Sequence, residues 1–311
     1  MWGLRGGIVV GLYPARFSYL DETGGPRGLI RIGYESEGVV YFINFMGVSP
    51  VRERRGELSL YSSELTDSPG DGRRGIRFFP YPADYLDHPG LYPKPPPLDQ
   101  VAAVEGNGRD EVMTFGFRTE EYPNGAVAFV IARIDSARPN EVEFESWLLA
   151  GQTETRSLVL STTWGNITRL RNAYLKGGTI NARQIWPDYS ASGFAQMKFW
   201  RPSQLLSDRG GDLLFVVGPD EDRPWETQPY PHRAKLLQYY RKKPGTWGDD
   251  LRAMVNGRAN YWKTFKSVPG GITFENVTLV EEFRQDQTFI YGFYNGAVRD
   301  LIDGKPSEPI R

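Results

Sequence analysis

Residues 161–178 read STTWGNITRLRNAYLKGG and bring Trp164, Asn166, Arg169, Arg171, Tyr174 and Lys176 together in a stretch that holds no Asp or Glu. Two guanidiniums two residues apart need anions from outside the stretch. One source is a structural carboxylate such as Glu143 or Glu145 on a neighbouring strand; the other is the carboxylate of an acidic sugar. In the second case the chemistry is β-elimination: a cation or amide neutralises the sugar carboxylate, the proton beside it becomes acidic, and a base removes it. Asn166, Arg169 and Arg171 are the candidate neutralisers, and Tyr174, Lys176 and His232 the candidate bases. Tyr174 has Arg171 and Lys176 close in sequence to bring a phenol down from its usual pKa of about 10. His232 needs no such help at an ordinary pKa of about 6.5, while its place at an expected helix start also suits a role at a fold boundary.

Sugar rings also present apolar C–H faces, which aromatic side chains cover while polar groups take the hydroxyl rim. The chain carries 8 Trp, 17 Tyr and 17 Phe. Trp164, Trp186 and Trp200 each have polar neighbours in sequence, which makes them candidate substrate platforms beside Asn166, Arg169 and Arg171. Core packing competes with that role at each Trp. Glu141, Glu143 and Glu145 fall on one strand face with Trp147 and offer the carboxylates a glycoside hydrolase would hold roughly 5 to 9.5 Å apart. A solvated strand face competes with that role.

Composition removes other chemistries. With 37 basic and 38 acidic residues the net charge is −1, so no global field draws the chain to nucleic acid. There is no cysteine, and His88 and His232 are the only histidines, so thiolate and multi-histidine metal sites are excluded. No G-x-S-x-G elbow and no G-x-x-x-x-G-K-[ST] phosphate loop occurs, and residues 70–75 lack the strand-to-helix context of a nucleotide site. No metal and no cofactor is expected. The run Asp220, Glu221, Asp222 is acidic enough for calcium, but its spacing is not that of an EF-hand. No window reaches the roughly 18 apolar residues of a membrane span. The compartment is not fixed by these residues; a secreted or periplasmic chain with its leader removed is compatible with the strand-like sequence at 7–13.

The elements that must position these groups read mostly as short strands. β-Branched and aromatic runs occur at 29–34, 39–45, 112–118, 126–134, 141–149, 157–161, 213–217, 272–280 and 288–294, joined by Gly- and Pro-rich connections. No alternation of strand with long helix appears, so the expected fold is all-β, a large antiparallel β-sandwich over residues 1–311 as a single domain. The Pro-dense segment 87–99 is expected as a loop excursion within it. Two helices are expected between 231 and 266, from Leu236, Leu237 and Tyr240 in the first and Leu251, Met254, Val255, Trp262 and Phe265 in the second. Asp249 and Asp250 would open the second helix.

The pieces GLIRIGY (28–34) and YFINFMGVSPV (41–51), with the meandering strands after them, resemble the large supersandwich of the galactose-mutarotase-like group. That group holds sugar epimerases and domains of glycoside hydrolases and polysaccharide lyases, and the resemblance implies a carbohydrate-active sandwich. Its aldose epimerases use two His and a Glu; His88 and His232 supply the number, but neither lies in a matching motif, so that activity is disfavoured. YLKGG (174–178) is also similar to the YFKAG signature of jelly-roll alginate lyases, and RRGEL (54–58) to their RxELR. QIW (184–186), however, lacks the histidine of their QIH motif and follows YLKGG instead of preceding it. The leading expectation is a polysaccharide lyase acting on a uronic-acid-containing poly- or oligosaccharide. A glycoside hydrolase with paired carboxylates and a non-catalytic glycan-binding sandwich are the alternatives.

Overall fold

The computed structural model describes residues 1–12, 29–54, 57–60, 76–108, 110–151, 155–163, 165–261 and 266–310. Its strands are β1 (Trp2–Gly3), β2 (Ile8–Gly11), β3 (Leu29–Ser36), β4 (Val39–Arg54), β5 (Glu57–Leu60), β6 (Phe78–Tyr81), β7 (Ala103–Gly106), β8 (Glu111–Thr119), β9 (Val127–Asp135), β10 (Glu141–Ala150) and β11 (Thr155–Thr163). They continue as β12 (Leu170–Leu175), β13 (Gly178–Asn181), β14 (Lys198–Trp200), β15 (Leu206–Ser207), β16 (Leu213–Pro219), β17 (Leu236–Lys242), β18 (Arg252–Arg258), β19 (Thr273–Val280) and β20 (Gln287–Asn295). The α-helices among the described residues are two short ones, α1 (Ala182–Ile185) and α2 (Val298–Ile302). The strands form two antiparallel sheets, as an all-β sandwich requires. Among the described residues no helix is long and apolar enough to cross a membrane.

The chain packs as two compact units. The first, Met1–Glu35 with Met46–Leu160 and Glu282–Thr288, holds the meander β8–β9–β10, in which Phe115 pairs with Ala132 and Phe144 with the same residue from the other side. Phe115, Phe117, Val130, Ile134 and Phe144 are buried in its core, and Trp2 stacks on Phe115 at 5.0 Å. The Pro-dense segment is a loop with short 3-10 turns, and Tyr92 from it, with Tyr85 just before it, packs with Tyr81 and Phe129.

The second unit, Ser36–Phe45 with Ser161–Glu281 and Phe289–Arg311, contains the ladder β13–β12–β16–β17–β20 and the ladder β19–β18–β14. Here the two helices expected between 231 and 266 are replaced by strands. Residues 236–242 are β17, paired with β16 and β20, and 252–258 are β18, paired with β19 and β14. The reason is burial on both faces: every residue of β17 is buried, so the segment has no solvent face, and Leu236, Leu237 and Tyr240 satisfied a helical spacing by accident. Asp249 and Asp250 accordingly precede a strand, and Trp262 and Phe265 lie outside the described residues. Most of the expected strands occur within two residues of their expected ends; the run expected at 39–45 continues as β4 to Arg54.

Several buried polar groups inside this unit are matched to one another. The Gln238 side chain accepts from Asn44 Nδ2 at 2.7 Å and from the Tyr291 hydroxyl at 2.8 Å, and it donates to Thr168 Oγ1 at 3.3 Å. Lys242 and Glu281 form a buried ion pair. Removing one member of such a pair leaves an uncompensated charge, whereas removing both often costs little. Lys242→Met is expected to lower the unfolding free energy by about 3 to 5 kcal/mol, and adding Glu281→Leu is expected to restore most of it. Denaturant titration of the two variants against the parent measures both.

Candidate functional site

The opening stretch divides at residue 164. β11 ends at Thr163, residues 165–169 form a turn, and β12 begins at Leu170. Trp164 lies outside the described residues. The turn closes with Leu170 N–H donating to the Gly165 carbonyl at 2.9 Å, and Arg169 sits in it at φ 47°, a left-handed conformation that costs a non-glycine residue roughly 1 to 2 kcal/mol. Its side chain explains why the cost is tolerated. Arg169 Nε donates to Glu221 Oε1 at 2.7 Å, Nη1 donates to the carbonyls of Thr227 and Pro229 at 2.9 Å each, and Nη2 donates to the Pro224 carbonyl. The guanidinium carbon lies 5.0 Å from the centre of the Tyr230 ring, a cation–π contact.

Arg171 is tied into the same network. Its Nη1 donates to Asp220 Oδ1 at 3.0 Å and to Glu221 Oε1 at 2.9 Å, Nε donates to the Ile272 carbonyl at 3.2 Å, and Nη2 donates to the Pro269 carbonyl. Arg183 reaches Asp220 from the surface. Burial pushes the Asp220 carboxyl up, but Arg171 and Arg183 pull it further down, so its pKa lies below the usual value. Arg169 and Arg171 are 0% and 1% exposed. They are therefore corrected from sugar contacts to structural ion-pair residues. Their anions are Asp220 and Glu221; Glu143 and Glu145 instead meet Arg133, at 3.7 and 2.6 Å.

Most of the other expected site residues are packed. Asn166 is buried, with Nδ2 donating to the Asn260 carbonyl at 3.3 Å. Trp200 is buried against Phe215 at 5.6 Å, a core residue and not a platform. Trp186 is half-buried, donates from Nε1 to the Gln196 carbonyl at 3.0 Å, and sets its ring edge-on to Phe274. Tyr174 packs beside Leu214, Val216, Leu237 and Tyr239. Burial raises its pKa, Asn172 lowers it and Asp220 raises it, so the phenol moves up instead of down and the expected activation by Arg171 and Lys176 fails. His232 starts no helix; it is 2% exposed, and burial lowers its pKa to about 3. A neutral, enclosed imidazole is not placed to take a proton from a polymer.

Lys176 differs. It is exposed at the turn between β12 and β13, where its N–H donates to the Gln204 carbonyl at 2.9 Å, and it lines an open cleft of about 510 Å³. Arg201, Pro202 and Ser203 follow β14 into the same cleft, Ser207, Gly211 and Leu213 form the hairpin wall, and Trp247, Asp249 and Arg252 complete it. The turn after β14 is set by Gln204, whose Oε1 accepts from Arg201 N–H at 3.0 Å. β14 pairs Trp200 with Ala253, so one residue further on Arg201 comes beside Arg252, a like-charge neighbour that is unfavourable without an anion. Arg252 Nη1 donates to the carbonyls of Asp249 and Leu251 at 2.8 and 2.6 Å. Among the described residues none of Lys176, Arg201 and Arg252 has an ion-pair partner, and Asp249 is the only carboxylate in the lining. Trp247 Nε1 is buried without a hydrogen-bond partner among the described residues.

Arg201, Arg252, Trp247 and Asp249 were not singled out as site residues by sequence. Arg201 and Arg252 are 51 positions apart and meet only through the β14–β18 pairing, which a helix at 252–258 would have forbidden. No protein-family model matches the chain. No curated protein matches it. A solved structure described as a "putative mutarotase (YeaD)" from Salmonella typhimurium is 10% identical, with 86% of this chain and 91% of that chain covered and a TM-score of 0.26.

Two outcomes follow from the buried groups. Arg169→Met is expected to lower the unfolding free energy by about 3 to 5 kcal/mol, because it leaves three carbonyls without their donor and Glu221 with Arg171 alone, and Arg169→Lys should recover less than half of that for want of a planar fork; denaturant unfolding checks it. For His232, the unfolded imidazole takes up a proton near pH 6.5 and the folded one only near about 3, so its stabilising contribution is complete above 6.5 and is lost as pH falls toward 3. Between pH 6.5 and 5 the parent should lose about 2 kcal/mol more than His232→Gln, measured by denaturant titration at the two pH values.

Proposed function

We propose that this chain is a carbohydrate-active β-sandwich protein that holds an acidic poly- or oligosaccharide in the cleft of Lys176, Arg201, Arg252 and Trp247. One observation carries the reading: three cationic side chains with no carboxylate partner among the described residues converge on an open cleft that contains a single carboxylate. A glycan carboxylate supplies the missing anion through charge-assisted hydrogen bonds, and Trp247 supplies an aromatic surface beside it. The cations of the opening stretch do not serve this purpose, since Asp220 and Glu221 already neutralise them.

Within this reading the reaction is elimination on a uronic-acid polymer, by a polysaccharide lyase. Arg201 and Arg252 neutralise the uronate, taking the role expected of Arg169 and Arg171. The group in the cleft able to accept the proton beside it is the Asp249 carboxylate, and the Lys176 ammonium is placed to give one to the departing oxygen. The C–H electron pair becomes the new double bond as the glycosidic C–O bond breaks, and the departing oxygen takes a proton to give a new chain end. A hydrolase needs two carboxyl groups across the bond, and the cleft lining offers only Asp249.

Binding of oligogalacturonate, measured calorimetrically, is expected to weaken at least tenfold in Arg201→Ala and in Arg252→Ala, since a lost charge-assisted hydrogen bond is worth about 1.5 to 3 kcal/mol. It should weaken further with added salt, while a neutral oligosaccharide of equal length binds poorly throughout. Ultraviolet absorbance of unsaturated ends then tests the reaction, with Asp249→Asn testing the base and Lys176→Ala the proton donor. Equal binding of acidic and neutral glycans, or variants that bind like the parent, would refute the acidic-glycan reading. Binding without new double bonds would leave a glycan-binding module.

A further inference from the structure

Resting on that reading, we infer that the cleft continues as an apolar strip along the edge strand β14, so that the ligand is an extended acidic polymer spanning both and not a single sugar. β14 ends its ladder, with β18 on its inner side and no further described strand beyond it. Successive side chains of a strand alternate between faces. Trp200 is buried in the core, so Phe199 lies on the opposite face, and Arg201, whose backbone is still extended at φ −77° and ψ 158°, shares that face. Phe199 and Met197 are 47% and 49% exposed, an unusual pair of large apolar groups to leave in water beside a cationic cleft.

The neighbouring strand gives the strip its direction. Phe199 is paired with Met254 and Trp200 with Ala253, while Ala195 N–H donates to the Gly257 carbonyl at 2.7 Å, so residues 195–201 run alongside β18 from Gly257 back to Arg252. At the far end the Arg258 guanidinium sits 5.3 Å from the centre of the Phe194 ring, which is itself 45% exposed. Six residues of strand separate Arg252 from Arg258, roughly 20 Å. The cleft therefore anchors one carboxylate at Arg201 and Arg252, and the strip offers Phe199 and Met197 to the apolar ring faces of the sugars that follow.

Calorimetry with di-, tetra- and hexagalacturonate tests the inference. Parent protein is expected to bind the hexamer at least tenfold more tightly than the dimer, and Phe199→Ser should remove most of that gain while leaving dimer affinity unchanged; Met197→Ser should remove part of it. Both positions are exposed, and circular dichroism confirms that the variants fold. Equal affinity for dimer and hexamer, or an equal loss at every length in Phe199→Ser, would overturn the strip while the cleft reading stands. Binding of no oligogalacturonate at any length would overturn the cleft reading and the strip with it. A concentration-dependent dimer in sedimentation that Phe199→Ser abolishes, together with length-independent binding, would assign the strip to a second copy of this chain and overturn its assignment to sugar.

Discussion

Two arginines two residues apart, both fully buried, are the constraint around which the second unit is arranged. A guanidinium removed from water is tolerated only where carboxylates and carbonyls take its donors, and Arg169 and Arg171 require Asp220, Glu221 and the carbonyls of Pro224, Thr227, Pro229, Pro269 and Ile272 to do so. That demand fixes two separate loops, 220–229 and 269–272, against the start of β12. The left-handed backbone at Arg169 is part of the same arrangement, because it aims the side chain at a loop more than 50 residues away.

With one end of β12 fixed in this way, its other end delivers Lys176 to solvent. The strand thus separates two kinds of cation. Those at its start are neutralised inside the protein, and the one at its end joins Arg201 and Arg252 around a cleft where the protein supplies one carboxylate. The distinction is electrostatic and it decides which residues remain available to a ligand. An arginine with its donors taken by Glu221 and three carbonyls has nothing left to offer a sugar, whereas like charges side by side at the end of β14 and the start of β18 are relieved by an anion from outside.

Much of the fold was legible in the chain. Runs such as 126–134 and 213–217 combine β-branched residues with flanking turn signals, and neither has a helical alternative of credible length. The segments 236–242 and 252–258 misled because both are buried on two faces, which erases the alternation that separates a strand from a helix. The site was legible only in part for a related reason. The local stretch 161–178 advertised its charges, yet their partners at Asp220 and Glu221 are set by tertiary pairing; and Arg201 met Arg252 through the very strands that periodicity misassigned. Lys176, on a turn with Gly177 and Gly178 after it, was the one candidate whose exposure local sequence could indicate. The Trp residues carried no such signal, since a polar neighbour in sequence says little about the face a ring occupies, and Trp200 went to the core.

The most direct measurement of the central claim is hydrogen–deuterium exchange of the full chain with and without a saturating acidic oligosaccharide, with hexagalacturonate as the probe. The account predicts new protection in peptides covering Lys176, residues 197–207 and residues 247–252, with no change around Arg169, Arg171 and the 220–229 loop. Protection confined to the 166–174 turn or to the 220–229 loop, with the 197–207 and 247–252 peptides unchanged, would contradict it and return the function to the buried arginines.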